Sequence, residues 1–154
     1  GWNEILGVNL HEYSPSEIAQ GELAKNAVIH FWKGDLGLMV DALNKGYDVV
    51  NSLHSSTYID YDYNAISLEK AYNFNPIPAG VLPQQYNQIK GFGCQMWGEW
   101  IPTVERMNYQ TYPRIAAFAE VGWTSPRNKN FARFNKALDA KKTEWKKLGI
   151  NYFE

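Results

Sequence analysis

The sequence predicts an α/β protein built on a parallel sheet, and three observations carry that prediction. Short apolar runs rich in β-branched residues alternate with longer segments patterned at the helical period. Strand, helix and strand follow one another directly, as right-handed crossovers require. Aromatic and carboxylate residues recur at the C-terminal ends of the runs, where parallel sheets and α/β barrels place their ligand sites. About four strand–helix units fit into the chain, half of the eight that a closed barrel of typically ~250 residues requires.

Residues 1–6 open the chain with Trp2, Asn3 and Glu4, an aromatic and a carboxylate two positions apart. Ser14-Pro15-Ser16-Glu17 matches a capping box with proline at the first helical position, and starts a short helix weakened by Gly21. Ala27 to Phe31 is a strand by its β-branched content, with Trp32 at its end. Asp35 caps the next helix, whose Leu36, Met39, Val40 and Leu43 fall on one stripe before Gly46 stops it. Asp48 to Leu53 is the following strand and runs into Tyr58 and Asp60, which an extended chain puts on one face. Residues 61–88 read as a long ordered loop with one helical turn around Leu68 to Ala71, and a loop of that length inside a domain is usually functional. Phe92 to Met96 is the last strand, and Trp97 and Glu99 follow it two positions apart. Thr103 caps a helix to about Val121 that Pro113 kinks or tightens, and Asn130 starts a closing helix over about 130–148 that ends at Gly149.

The 154 residues are enough for one domain, read here as 1–154, with a proper core. A formal charge of -1 removes any electrostatic case for nucleic acid or an anionic membrane surface. No apolar run approaches the ~20 residues of a membrane span. Cys94 is the single cysteine, so no disulfide can form within the chain, and it reads as a buried small hydrophobe. Six tryptophans exceed what a plain core needs, which turns attention to the rings at strand ends.

Trp97 with Glu99 is the most informative pair. The apolar C–H face of a pyranose packs on an indole, and an ionised carboxylate accepts from two hydroxyls in short charge-assisted bonds. Tyr58 with Asp60, then Trp2 and Trp32, repeat the theme. Arg114 and Glu120, within a helix that must pack on a sheet, read as a structural ion pair or hydrogen-bonded pair. His11, His30 and His54 lack the i, i+4 spacing of a helical zinc pair, so no metal site is expected. Lys136, Lys141, Lys142, Lys146 and Lys147 form the solvated face of the closing helix.

Taken together, Gly1-Trp2-Asn3-Glu4-Ile5-Leu6, Phe31-Trp32-Lys33-Gly34, Tyr58-Ile59-Asp60, Trp97-Gly98-Glu99, Tyr112-Pro113-Arg114 and Ala119-Glu120-Val121-Gly122-Trp123 resemble glycoside hydrolase family 20, the β-N-acetylhexosaminidases. The resemblance implies the C-terminal half of a (β/α)8 TIM barrel: about four parallel β/α units plus the closing helix. It further implies that Trp2, Trp32 and Trp97 wall the pocket for a terminal N-acetylhexosamine. Tyr58 would donate to the acetamide carbonyl, and Asp60 and Glu99 would bind ring hydroxyls.

In that family the substrate's own acetamide oxygen attacks the anomeric carbon, while an adjacent Asp-Glu pair orients it and protonates the leaving oxygen. No Asp-Glu dipeptide occurs in this chain. The resemblance therefore implies a sugar pocket without the proton transfer, so the chain alone is expected to be inactive. A non-catalytic carbohydrate-binding module using the same aromatic pocket is the alternative. The implied partners are an amino-sugar glycoside and either the missing N-terminal half barrel or a second copy of the chain. No cofactor is implied, and the family's usual substrates imply a periplasmic or secreted location.

Overall fold

The computed structural model describes residue 24 and residues 26–154. Trp2, Asn3, Glu4, His11 and the capping box at Ser14 lie outside the described residues.

Among the described residues three strands form one parallel sheet in the order β1-β2-β3: β1 is Val28–Phe31, β2 is Asp48–Asn51 and β3 is Ile89–Phe92. Parallel neighbours need a crossover, and α1 (Leu36–Asn44) lies between β1 and β2 in the chain. The Asp35 carboxylate accepts from the Gly37 amide at 2.7 Å, which satisfies one of the helix's orphaned donors. Beyond α1 the chain turns at Gly46, whose φ of +87° lies in the left-handed region that a Cβ disfavours. Between these ends Met39, Ala42 and Leu43 are buried with Phe31, Val49 and Val81. Removing each larger side chain from water contributes about 1.5–3 kcal/mol.

The predicted strand over Phe92 to Met96 is corrected: the ladder runs over Ile89–Phe92. Val49 pairs with Ile89, and the Lys90 ammonium lies 3.2 Å from the Asp48 carboxylate. That polar residue interrupts the apolar pattern by which a buried strand is recognised, so the sequence moved the strand too far along. The ladder stops where Gly93 donates its amide to Ser52 Oγ at 3.0 Å. A Cβ on Gly93 would stand 2.8 Å from that oxygen, so glycine permits the close approach.

The long loop carries local structure of its own, ending in a 3-10 segment over Pro83–Gln88. It contains α3 (Leu68–Tyr72), the predicted helical turn, capped by Ser67 Oγ accepting from the Lys70 amide at 3.1 Å. Its far end is pinned to the end of α1, where the Gln88 side-chain amide donates to the carbonyls of Leu43 and Tyr47 at 3.3 and 3.2 Å. Ahead of it, α2 (His54–Thr57) is a single helical turn that the sequence took for extended chain.

The helix expected from Thr103 to about Val121 is two helices, α4 (Val104–Thr111) and α5 (Arg114–Trp123), divided at Pro113, which has no N–H to continue the ladder. Asn130 Oδ1 accepts from the Arg133 amide at 2.9 Å and opens α6 (Phe131–Lys147). Phe134, Leu138 and Trp145 of α6 join Ile59, Ile66, Ala71, Tyr72, Ala117 and Phe118 in a second core. Lys136, Lys141, Lys146 and Lys147 of α6 are exposed as expected, but Lys142 is half-buried, its ammonium 5.9 Å from the centroid of the Tyr152 ring that packs against this core.

Arg114 does not pair with Glu120. It is fully buried, and its guanidinium donates to the carbonyls of Gln110, Tyr61, Ile66 and Ile59 at 2.6–3.1 Å. Backbone carbonyls of a turn are the acceptors nearest to hand, and they satisfy the guanidinium's donors.

Candidate functional site

The site grows from the C-terminal ends of the strands. Pairing between the first two chain segments continues past the ladder, since the Ser52 amide donates to the Phe31 carbonyl at 2.7 Å and the His54 amide to the Trp32 carbonyl at 2.8 Å. α2 then swings the backbone to Tyr58. There the Ile59 amide donates to the Gln95 carbonyl at 2.8 Å, which docks this turn beside the segment leading to Trp97.

Those connections gather the predicted rings through two residues that were not predicted. Trp32 and His54 have centroids 6.4 Å apart, His54 and Tyr58 6.0 Å, and Tyr58 and Trp97 6.2 Å. Tyr61 packs against both Tyr58 and His54, and its hydroxyl lies 2.9 Å from His54 Nδ1. Trp32 and Trp97 are 45% and 50% exposed while Tyr58 is 7% exposed. The indoles are therefore accessible walls, and Tyr58 is the deeper element. His54, Tyr58 and Tyr61 stand at i, i+4 and i+7, an aromatic stripe at helical spacing that could have been read from the sequence. Trp2 lies outside the described residues.

The alternation argument for the two aromatic–carboxylate pairs is corrected. The Tyr61 amide closes a turn onto the Tyr58 carbonyl at 3.3 Å, and residues 98–100 form a 3-10 turn closed by the Ile101 amide on the Gly98 carbonyl at 3.1 Å. Neither pair is extended, because Gly98 and the i to i+3 bonds favour turns over a strand. Asp60 and Glu99 nevertheless come close enough for their charges to interact.

Burial pushes the Asp60 carboxyl above the ordinary carboxylate range, and the Glu99 charge pushes the same way. A hydrogen bond from its own backbone, the Arg114 cation and the Trp97 backbone oppose the rise. Asp60 Oδ1 is buried with no hydrogen-bond partner. Burial also raises the Tyr58 phenol, the Trp97 side chain opposes that rise, and the Asp60 charge adds to it. Tyr58 is thus held as a neutral donor next to an acceptor with an open lone pair, with the Trp97 indole against it and the Trp32 indole beyond His54. Such a set can orient a polar ring with one apolar face. Among the described residues no group of three His, Cys, Asp or Glu side chains is placed to hold a metal ion. Nor is any helix there long and apolar enough to cross a membrane.

A family model described as the catalytic domain of glycosyl hydrolase family 20 matches residues 1–126. A β-hexosaminidase of Porphyromonas gingivalis is 34% identical over 164 residues, covering 99% of this chain and 19% of that protein. A β-N-acetylhexosaminidase of Cellulomonas fimi is 28% identical, covering 88% of this chain and 30% of its own length. Among solved structures, the Vibrio harveyi GH20 exo-β-N-acetylglucosaminidase in complex with N-acetylglucosamine superposes with a TM-score of 0.78 at 28% identity. That match covers 90% of this chain and 24% of the other. The chain therefore spans 19% to 30% of the length of these relatives.

Proposed function

Because this chain belongs to glycosyl hydrolase family 20, its sheet being part of an α/β barrel, we propose that it supplies the amino-sugar pocket of a retaining β-N-acetylhexosaminidase. The observation that carries this reading is the convergence of Trp32, Tyr58 and Trp97 at the strand ends, with Asp60 beside them. In this reading the indoles pack the sugar face and the acetamide methyl. The Tyr58 hydroxyl donates to the acetamide oxygen, which holds that oxygen on course for the anomeric carbon. Asp60 Oδ1 and Glu99 accept from ring hydroxyls.

The Asp-Glu pair that orients the acetamide and protonates the leaving group is not encoded in these residues. It would come from the remaining strands of the barrel, and in their place a second copy of the chain is the partner for the open sheet. A periplasmic or secreted location belongs to the same reading.

Calorimetric titration of N-acetylglucosamine into the chain tests it. Binding at millimolar concentration or tighter that is lost in Trp97→Ala supports the pocket, and no heat with any amino sugar overturns it.

A further inference from the structure

The turn carrying Tyr58 and Asp60 is held from behind by buried donors. Arg114 Nη2 donates to the Ile59 carbonyl at 2.6 Å and Nη1 to that of Tyr61 at 2.8 Å. The Gln110 side-chain amide donates to the carbonyl of Asp60 at 2.9 Å. What holds the guanidinium is a stack. Its Cζ lies 4.0 Å from the centroid of the Tyr63 ring, and the Phe153 ring lies parallel to Tyr63 within 6° at 3.8 Å. Two groups that close to one centroid must occupy opposite faces, so Tyr63 is clamped between a cation and a ring. The clamp is squared off at Tyr112, whose carbonyl accepts from the Tyr63 hydroxyl at 2.8 Å and from the Phe153 amide at 3.0 Å.

We propose that Phe153 is a positioning residue for the sugar site, acting through Tyr63 and Arg114 on the backbone that carries Tyr58 and Asp60. The proposal rests on the amino-sugar reading for its ligand, but its mechanical part does not. A flat ring on one face of Tyr63 fixes the plane on which the guanidinium lies. The plane in turn aims the planar donors at the carbonyls of residues 59 and 61. A small side chain at 153 frees Tyr63 to tilt, and the turn loses its fixed support.

The test is amide hydrogen exchange combined with calorimetry on the whole chain. In Phe153→Ala the Ile59 amide is expected to exchange about tenfold faster, with the Val49 and Val50 amides of β2 unchanged. N-acetylglucosamine is expected to bind about tenfold more weakly, since small misplacements of binding groups are costly. Phe153→Tyr keeps the stack and restores both values. Asn151→Ala removes the nearby contact to the Glu105 carbonyl and leaves both at wild-type levels. Wild-type exchange at Ile59 in Phe153→Ala overturns the proposal, and so does acceleration of Ile59 together with β2, which marks general loosening. If the wild-type chain binds no amino sugar, the pocket reading fails while the exchange pattern still decides the positioning role.

Discussion

The Arg114 guanidinium donates to the Ile59 carbonyl at 2.6 Å across 55 positions of sequence, so a residue of α5 fixes the backbone between Tyr58 and Asp60. Arg114→Met keeps the bulk and removes every donor. It leaves the Ile59 and Ile66 carbonyls without the bonds the guanidinium gives them, and is expected to destabilise the fold by about 3–5 kcal/mol. Urea unfolding checks this, and a loss within about 1 kcal/mol would mean that water replaces the guanidinium.

Trp97 behaves in the opposite way. Half exposed, it gives folding only part of what a buried indole would, so Trp97→Ala is expected to destabilise the fold less than Arg114→Met does. On the proposed reading the same change is expected to weaken N-acetylglucosamine binding by about 1–2 kcal/mol. Calorimetry beside a thermal melt separates the two, and a large fall in melting temperature with intact binding contradicts the assignment.

Asp60 gives a pH dependence whose sign is fixed by burial. Its carboxyl is raised above 3.8 in the folded chain, so between that value and the raised one the folded state binds a proton that the unfolded state has released. Its contribution is complete below the ordinary value and is lost as pH rises through the folded one. Asp60→Asn cannot ionise, and its stability relative to wild type is expected to climb from about pH 3 to about pH 7. Paired thermal melts across that range check it, and a difference that shrinks with pH rules it out.

Turnover is expected to be absent from the chain alone. Lack of a general acid forfeits about 10²–10⁴-fold, and lack of the group that steadies the developing charge a further ~10²–10³. The measurement is p-nitrophenol release from its N-acetylglucosaminide. Release that Glu99→Gln abolishes would place the missing chemistry within these residues.

Much of this was legible where one local rule decided the outcome. Asp35 and Asn130 cap the helices they were expected to cap, because a short polar side chain before an apolar stripe has few other uses. The parallel order of β1 and β2 followed from a strand, a helix and a strand with short links. What failed were inferences that needed the third dimension. Lys90 sits inside β3 because Asp48 lies across the sheet, and no local pattern announces that partner. Tyr58 and Trp97 meet because the Ile59 amide docks on the Gln95 carbonyl, while the pairs Tyr58–Asp60 and Trp97–Glu99, expected from strand alternation, stand on turns. Arg114 sought carbonyls from a distant turn, so the carboxylate one helix face away was a misleading clue.

Trp123, at the end of α5, is 92% exposed, while Trp145 is buried and Trp97 half covered. An indole bathed in water emits at long wavelength, so Trp123 makes the chain its own optical probe of assembly. Subtracting the Trp123→Phe spectrum isolates its emission. If a second copy covers the chain at Trp123, the isolated band shifts to the blue as concentration rises. If that end stays bare, the band holds its position while light scattering reports the mass.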